Sequence, residues 1–354
     1  MLSFAALIAS TVALLSFAGS AVAQSDTSAD EGKRLFSGYI PELWAAVLGL
    51  VLFGVVGAYH WMMWFRCGRQ KYLLTLTIGM TCMTFGFVLR LVYRSTPYSL
   101  GLYAMQLMFI LLSPCAFLAT DYLLLKHLAI AMGPEVVKDC LFLPIRVIVK
   151  LFVWCDVITF WIQGGGGGLS AERGKIAEIG PKIALVGLII QLVSFGLFTL
   201  LLIVFAYRVR TRFPHLGSPI PAFSFRRHNP WSRELVNDWR ILFWVLLLSC
   251  VGIFIRCTFR TVEYAQGYSG YLITHEIYFY LLDALPLFLA MSLYAYVWPA
   301  LVVDSAAENQ STGALQTSLE AGHAIGPSPT YSIEKSGHAG AEQVPMTLHK
   351  PYRG

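Results

Sequence analysis

The chain has 354 residues, of which 56% are hydrophobic and 13% charged, and its formal net charge is +6. That balance excludes an ordinary soluble domain. The basic residues lie in short stretches between apolar runs and form no patch, which excludes a nucleic-acid partner and points to membrane topology.

In chain order, the first 23 residues have an apolar centre and end in Ala21-Val22-Ala23, the pattern of a signal peptide cleaved before Gln24. Residues 24–40 then form an extracellular segment ahead of a membrane domain over 41–300. Seven apolar stretches of membrane-spanning length fall at 41–64, 72–93, 101–124, 142–163, 181–206, 240–262 and 273–298. Arg66, Arg69 and Lys71 follow the first stretch, Lys126 and Lys138 the third, and Arg208, Arg210, Arg212, Arg226, Arg227 and Arg233 the fifth. The positive-inside rule places those loops in the cytoplasm. The expected fold is therefore all-α: a polytopic seven-helix bundle with its N-terminus outside and its C-terminus inside.

From about Asp304 the chain becomes rich in Ser, Thr, Gly and Ala, so the tail within 301–354 is expected to be disordered and cytoplasmic. The sequon Asn309-Gln310-Ser311 would stay unmodified on that side. Seven cysteines lie mostly inside apolar runs without Cys-x-x-Cys spacing and read as small core side chains. No metal and no cofactor is expected.

Ionisable groups at membrane depth cost at least a few kcal/mol and should face the bundle interior with partners. Arg90 stands near the outer end of the second stretch, with Arg94 one turn beyond. Asp156 and Gln163 share a face of the fourth, Glu276 and Asp283 a face of the seventh, and Gln106 and Gln191 add amides on the third and fifth. Arg256, Arg260 and Glu263 fall within about 60° on the sixth helix. Arginines on the outer side run against the positive-inside bias, so pairing with Asp156, Glu263, Glu276 or Asp283 is expected. The plainer reading is that these groups only join helices. Interhelical polar contacts in membranes are often below about 1 kcal/mol each, so structure alone rarely explains so many charges. A polar cavity that also meets a ligand or ion explains them better.

Gly164 to Gly168 in "WIQGGGGGLS" lack the Lys-Ser/Thr ending of a phosphate loop and read as a turn or hinge leaving the fourth span. Pro114 and Pro286 are expected to kink the third and seventh helices and to free backbone carbonyls.

These segments also resemble a known pattern. "GYIPELWAAVLGLVLFGVVGAYH", "LLSPCAFLATDYLLL", "DVITFWIQGGGGG", "GLIIQLVSFGLF", "IRCTFRTVEYAQG" and "HEIYFYLLDALPLFL", in this order, resemble the fungal RTA-like lipid-translocating exporter family over roughly residues 36–300. The resemblance implies a seven-span fungal protein that handles toxic amphipaths such as aminosterols, sphingoid bases or, in one branch, porphyrins. It implies motif positions at Asp156, Gln163, Gln191, Arg256, Arg260, Glu263, Glu276 and Asp283. Where the family often reads Glu-x-x-Gly-Tyr-x-x-Arg, this chain reads "MTFGFVLR": Met83 replaces the acid and Phe87 the tyrosine, while Arg90 keeps its place.

The expected function is that of a transporter or flippase-like facilitator of amphipathic lipids, reached through the secretory pathway and resident in the fungal plasma membrane. Membrane lipids or amphipathic small molecules are the expected partners, and no enzymatic activity is expected. A seven-helix lipid or stress sensor is the alternative, although Asp121-Tyr122 and "SLYAYVWP" match no familiar receptor signature. A zinc hydrolase is a third reading, but His60, His127 and His275 have no ligand spacing and read as interfacial side chains.

Overall fold

A computed structural model describes residues 42–95, 99–141, 144–169, 175–213, 239–266 and 271–308. The expected signal peptide, the segment 24–40, the basic loop 214–238 and the chain from 309, with its sequon, lie outside the described residues.

Long apolar segments in lipid satisfy their backbone groups internally, and the helix does this within one segment. The main helices are α1 (Leu43–Arg66), α2 (Leu74–Ser95), α3 (Leu100–Ala131), α4 (Ile145–Leu169), α5 (Lys175–Arg212) and α6 (Trp239–Gln266). The last, α7 (Glu276–Tyr296), is an α-helix interrupted by a π segment over Phe279–Ala284. A 3₁₀ turn (Lys71–Leu73) leads into α2, and short helices occur at Pro134–Cys140 and Tyr271–Thr274. No strand occurs among the described residues.

Six of the helices are long and apolar enough to cross a membrane, namely α1, α2 with its leading turn, α3, α5, α6 and α7. The protein is an integral membrane protein. The 25-residue α4 stands outside that set and carries Arg146, Lys150, Asp156 and Gln163. Each helix touches the next along the chain, α7 returns to α1, and α3 and α6 also meet. The outward faces are apolar: on α5, Val186, Ile189, Ile190, Val193, Leu197, Leu200 and Ile203 are exposed at helical spacing. In water such a stripe is an aggregation hazard, whereas in a bilayer it is the lipid contact.

Small residues bring the helices close. A Cβ at Gly79 of α2 would lie 2.6 Å from the Phe117 ring of α3. At Gly166 of α4 it would lie 2.6 Å from the Ala184 amide nitrogen and 2.7 Å from the Gly180 oxygen of α5. This corrects the reading of the glycine run as a turn: α4 stays helical through all five glycines to Leu169. Backbone-to-backbone packing against α5 fixes the conformation that glycine alone would leave free. Residues 299–308 are helical too, with Ala300, Val302 and Val303 buried, so the segment read as tail from about Asp304 is helix as far as 308.

Candidate functional site

The C-terminal half of α6 faces the start of α7, and the ionisable groups meet there. Arg256 and Arg260 both donate to Asp283, one to each carboxylate oxygen. Arg260 also donates to Glu263 one turn on, at 2.9 Å. Asp283 is completely buried and Arg256 is 3% exposed. Two guanidinium groups against two carboxylates sum to zero charge, which is what allows the cluster to persist away from water.

Two prolines shape this centre. Pro114 has no N–H to offer the Ile110 carbonyl one turn earlier in α3. That carbonyl accepts instead from Arg256 Nη2 at 3.2 Å. Asp283 lies in the π segment, which ends two residues before Pro286, where the backbone ladder lacks a donor.

A second pair closes the same end of the bundle. Arg90 of α2 donates to Glu276 at 2.8 Å, and the other Glu276 oxygen accepts the backbone N–H of Glu42, also at 2.8 Å. Glu276 therefore links α2 and α7 to the start of α1. The Arg90 guanidinium sits 4.6 Å from the Phe279 ring centre, and Arg260 covers the same ring at 5.4 Å. Met83 and Phe87, at the divergent family positions, are completely buried apolar residues. Phe87 stacks on Phe53 and Tyr280. The acid that meets Arg90 comes from α7.

On the neighbouring side, Gln163 of α4 donates to Gln191 of α5 at 2.7 Å. The Gln191 amide nitrogen stands 4.0 Å from Cys115 Sγ of α3. Gln106 is buried, and its side-chain oxygen has no hydrogen-bond partner among the described residues. Between Gln163 and Arg260 lies a cleft also lined by Leu107, Leu111, Ala184, Leu188 and Tyr264. Its volume of about 10 Å³ suits roughly one water. No lipid-sized chamber opens there in this conformation.

Asp156 departs from the expected pairing. It is 2% exposed, and neither carboxylate oxygen has a hydrogen bond of good geometry among the described residues. Its neighbours are Tyr122 and Cys115 of α3 and Cys257 of α6. It meets no arginine because Arg256 turns to Asp283 and the Ile110 carbonyl.

One polar centre escaped the sequence reading. Asp121 of α3, completely buried, accepts from Tyr294 of α7 at 2.7 Å and from Ser249 of α6 at 3.0 Å. An acid inside the apolar run "CAFLATDYLLL" was the available signal. His60 also differs from expectation: it is completely buried, 5.9 Å from Trp298, and not interfacial. The apolar face that α1 turns inward carries it there. Its ring nitrogens have no partners among the described residues. His127 is half-buried, with Nδ1 at 2.8 Å from the Leu123 oxygen and its ring stacked on Tyr72. His275 lies exposed just before α7. No cluster of three or more His, Cys, Asp or Glu suited to a metal occurs among the described residues.

With this geometry in hand, comparison with known proteins places the chain. The family model described as "RTA1 like protein" matches residues 76–306, which include all the paired charges except Glu42's backbone contact. The chain belongs to the RTA1-like family. Protein RTM1 of Saccharomyces cerevisiae is 31% identical over 61% of the chain and 64% of RTM1. Protein RTA1 of the same yeast is 27% identical over 77% of the chain and 86% of RTA1. The yeast sphingoid long-chain base transporter RSB1 is 25% identical over 77% of the chain and 75% of RSB1. Yeast protoporphyrin uptake protein 1 is 28% identical over 58% of the chain and 61% of that protein. The chain thus aligns with slightly under two thirds of RTM1. No solved structure matches. Membrane transport is a role within the family, and the expected RTA-like membership is confirmed.

Proposed function

We propose that this RTA1-like protein moves amphipathic lipids, with sphingoid bases and aminosterol-like amines as the substrate class, across or out of the fungal plasma membrane. In this reading α4 also spans, giving seven crossings with the N-terminus outside and the C-terminus in the cytoplasm. Arg66 at the end of α1 and Arg208, Arg210 and Arg212 at the end of α5 support that orientation, because they lie at the end of the bundle opposite the paired charges. The buried acids and amides receive the polar headgroup while the hydrocarbon body stays among apolar side chains.

The observation that carries the proposal is the charge-neutral centre of Arg256, Arg260, Glu263 and Asp283 enclosed by helices whose outer faces are apolar. Because its charges are already balanced, that centre holds α6 and α7 together and leaves the neighbouring Asp156, a buried acid without a cation, to meet a charged headgroup. The narrow cleft beside Gln163 and Arg260 means that a headgroup enters only when the helices part. The names of the sphingoid base transporter and the porphyrin uptake protein support transport by a related bundle.

Reconstitution of the full chain into vesicles with a fluorescent sphingoid base tests the proposal. Protein-dependent loss of probe from the loaded leaflet is expected. Specific binding without movement overturns transport and supports the sensor reading.

A further inference from the structure

We propose that Asp156 is a proton-for-ammonium exchange group: it holds a proton while the bundle is closed and releases it when the ammonium of an amphipathic primary amine takes its place. The inference rests on the transport reading and assigns that site's substrate chemistry and its coupling.

Asp283 is saturated by Arg256 and Arg260, Glu263 by Arg260, and Glu276 by Arg90 and the Glu42 N–H. Asp121 is bonded by Ser249 and Tyr294. Asp156 alone among these leaves both oxygens without a donor of good geometry. The groups that face it are Tyr122 and Cys115 from α3 and Cys257 from α6. The guanidinium beside those cysteines, Arg256, is held by Asp283. Gln163, two turns along α4, binds Gln191 of α5. None of these neighbours supplies a free positive charge.

A bare carboxylate in that position has no countercharge and only the poorly aligned Tyr122 hydroxyl as a donor, so the closed bundle favours the neutral acid. An acid kept so poorly bonded inside the bundle calls for a role. One ammonium supplies both missing elements, a single positive charge and N–H donors for the two oxygens. The exchange balances: the neutral carboxyl and the incoming ammonium carry +1 together, and afterwards the ion pair carries zero and the released proton +1. When the amine leaves on the other side, the carboxylate takes a proton from that side. One amine moves one way and one proton the other, with no net charge transfer.

The test uses full-length protein in vesicles with an entrapped pH-sensitive dye, and a fluorescent sphingoid base as probe, all read above protein-free vesicles. Its N-acylated counterpart, which lacks the ammonium, is the control. A tenfold proton gradient is expected to drive up to about a tenfold amine gradient in the wild type, with matching proton counterflow, and neither for the N-acyl probe. Asp156→Asn is expected to abolish the coupling, and Asp156→Glu, which keeps the carboxyl, to retain part of it. Full coupling in Asp156→Asn, or equal loss in Asn and Glu variants that fold as the wild type does, overturns the assignment. Amine movement indifferent to the proton gradient overturns the exchange and leaves transport standing. No movement of any probe by the wild type overturns the transport reading itself.

Discussion

Replacing Asp283 by asparagine tests the charge-neutral centre most directly. The side chain keeps its size but loses its charge, so the sum over Arg256, Arg260, Glu263 and position 283 rises from zero to +1. Arg256 is then left with neutral acceptors only, the Ile110 carbonyl and the amide oxygen at position 283. Two magnitudes compete. Losing an ordinary interhelical hydrogen bond in a membrane costs about 0.6 kcal/mol on average. Leaving a buried cation without its countercharge costs about 3–5 kcal/mol. With Asp283 completely buried and Arg256 only 3% exposed, the second figure governs. The apparent Tm of the full chain in detergent is therefore expected to fall by about 6–20 °C. The double variant Arg256→Gln with Asp283→Asn leaves Arg260 against Glu263, again neutral, and is expected to recover about 2 kcal/mol over Asp283→Asn. A Tm for Asp283→Asn within about 2 °C of wild type, or a double variant less stable than that single one, refutes the reasoning.

Gly166→Ala is expected to destabilise by about 1–3 kcal/mol, because its Cβ meets α5 backbone at 2.6 Å. Gly165→Ala and Gly168→Ala meet nothing within 4 Å and are expected to be neutral or to stabilise by up to about 1 kcal/mol, so thermal melts of the three variants should separate cleanly. His60→Leu is expected to hold or raise the Tm, since it removes two buried nitrogens without partners; a fall of several degrees would show a bond that this geometry lacks. Tyr294→Phe removes the 2.7 Å bond to Asp121 and is expected to cost about 1 kcal/mol by the same assay.

The helix positions and the arginine-acid pairing were legible in the sequence because both follow from the solvent. A bilayer demands long apolar helices and tolerates Arg90, Arg256 and Arg260 only beside acids. Which acid meets which arginine was not legible, because it depends on how helices distant in sequence face one another. Arg90 meets Glu276 across 186 positions, and Arg256 meets Asp283 across 27. The glycine run misled for a related reason: glycine's intrinsic freedom argues for a turn, and only the approach of Gly180 and Ala184 shows why the run stays helical. Asp121 was visible by the same rule as Asp283, but it stood outside the family motif positions.

The contrast between Asp283 and Asp156 carries the functional argument further than either residue does alone. Both are buried acids on faces shared with other polar groups. The charges around Asp283 are what disqualify it as an amine site. An acid already holding two guanidinium groups can take an ammonium only by releasing one of them into a buried, neutral surrounding, whereas Asp156 needs to release only a proton. The ion-paired centre then serves as a rigid, charge-balanced frame between α2, α6 and α7, and ligand exchange falls to the side of the bundle where α3, α4 and α6 surround an acid without a cation. On that division, variants of Asp283 act mainly on stability, and variants of Asp156 act on amine selectivity and proton coupling with the fold intact.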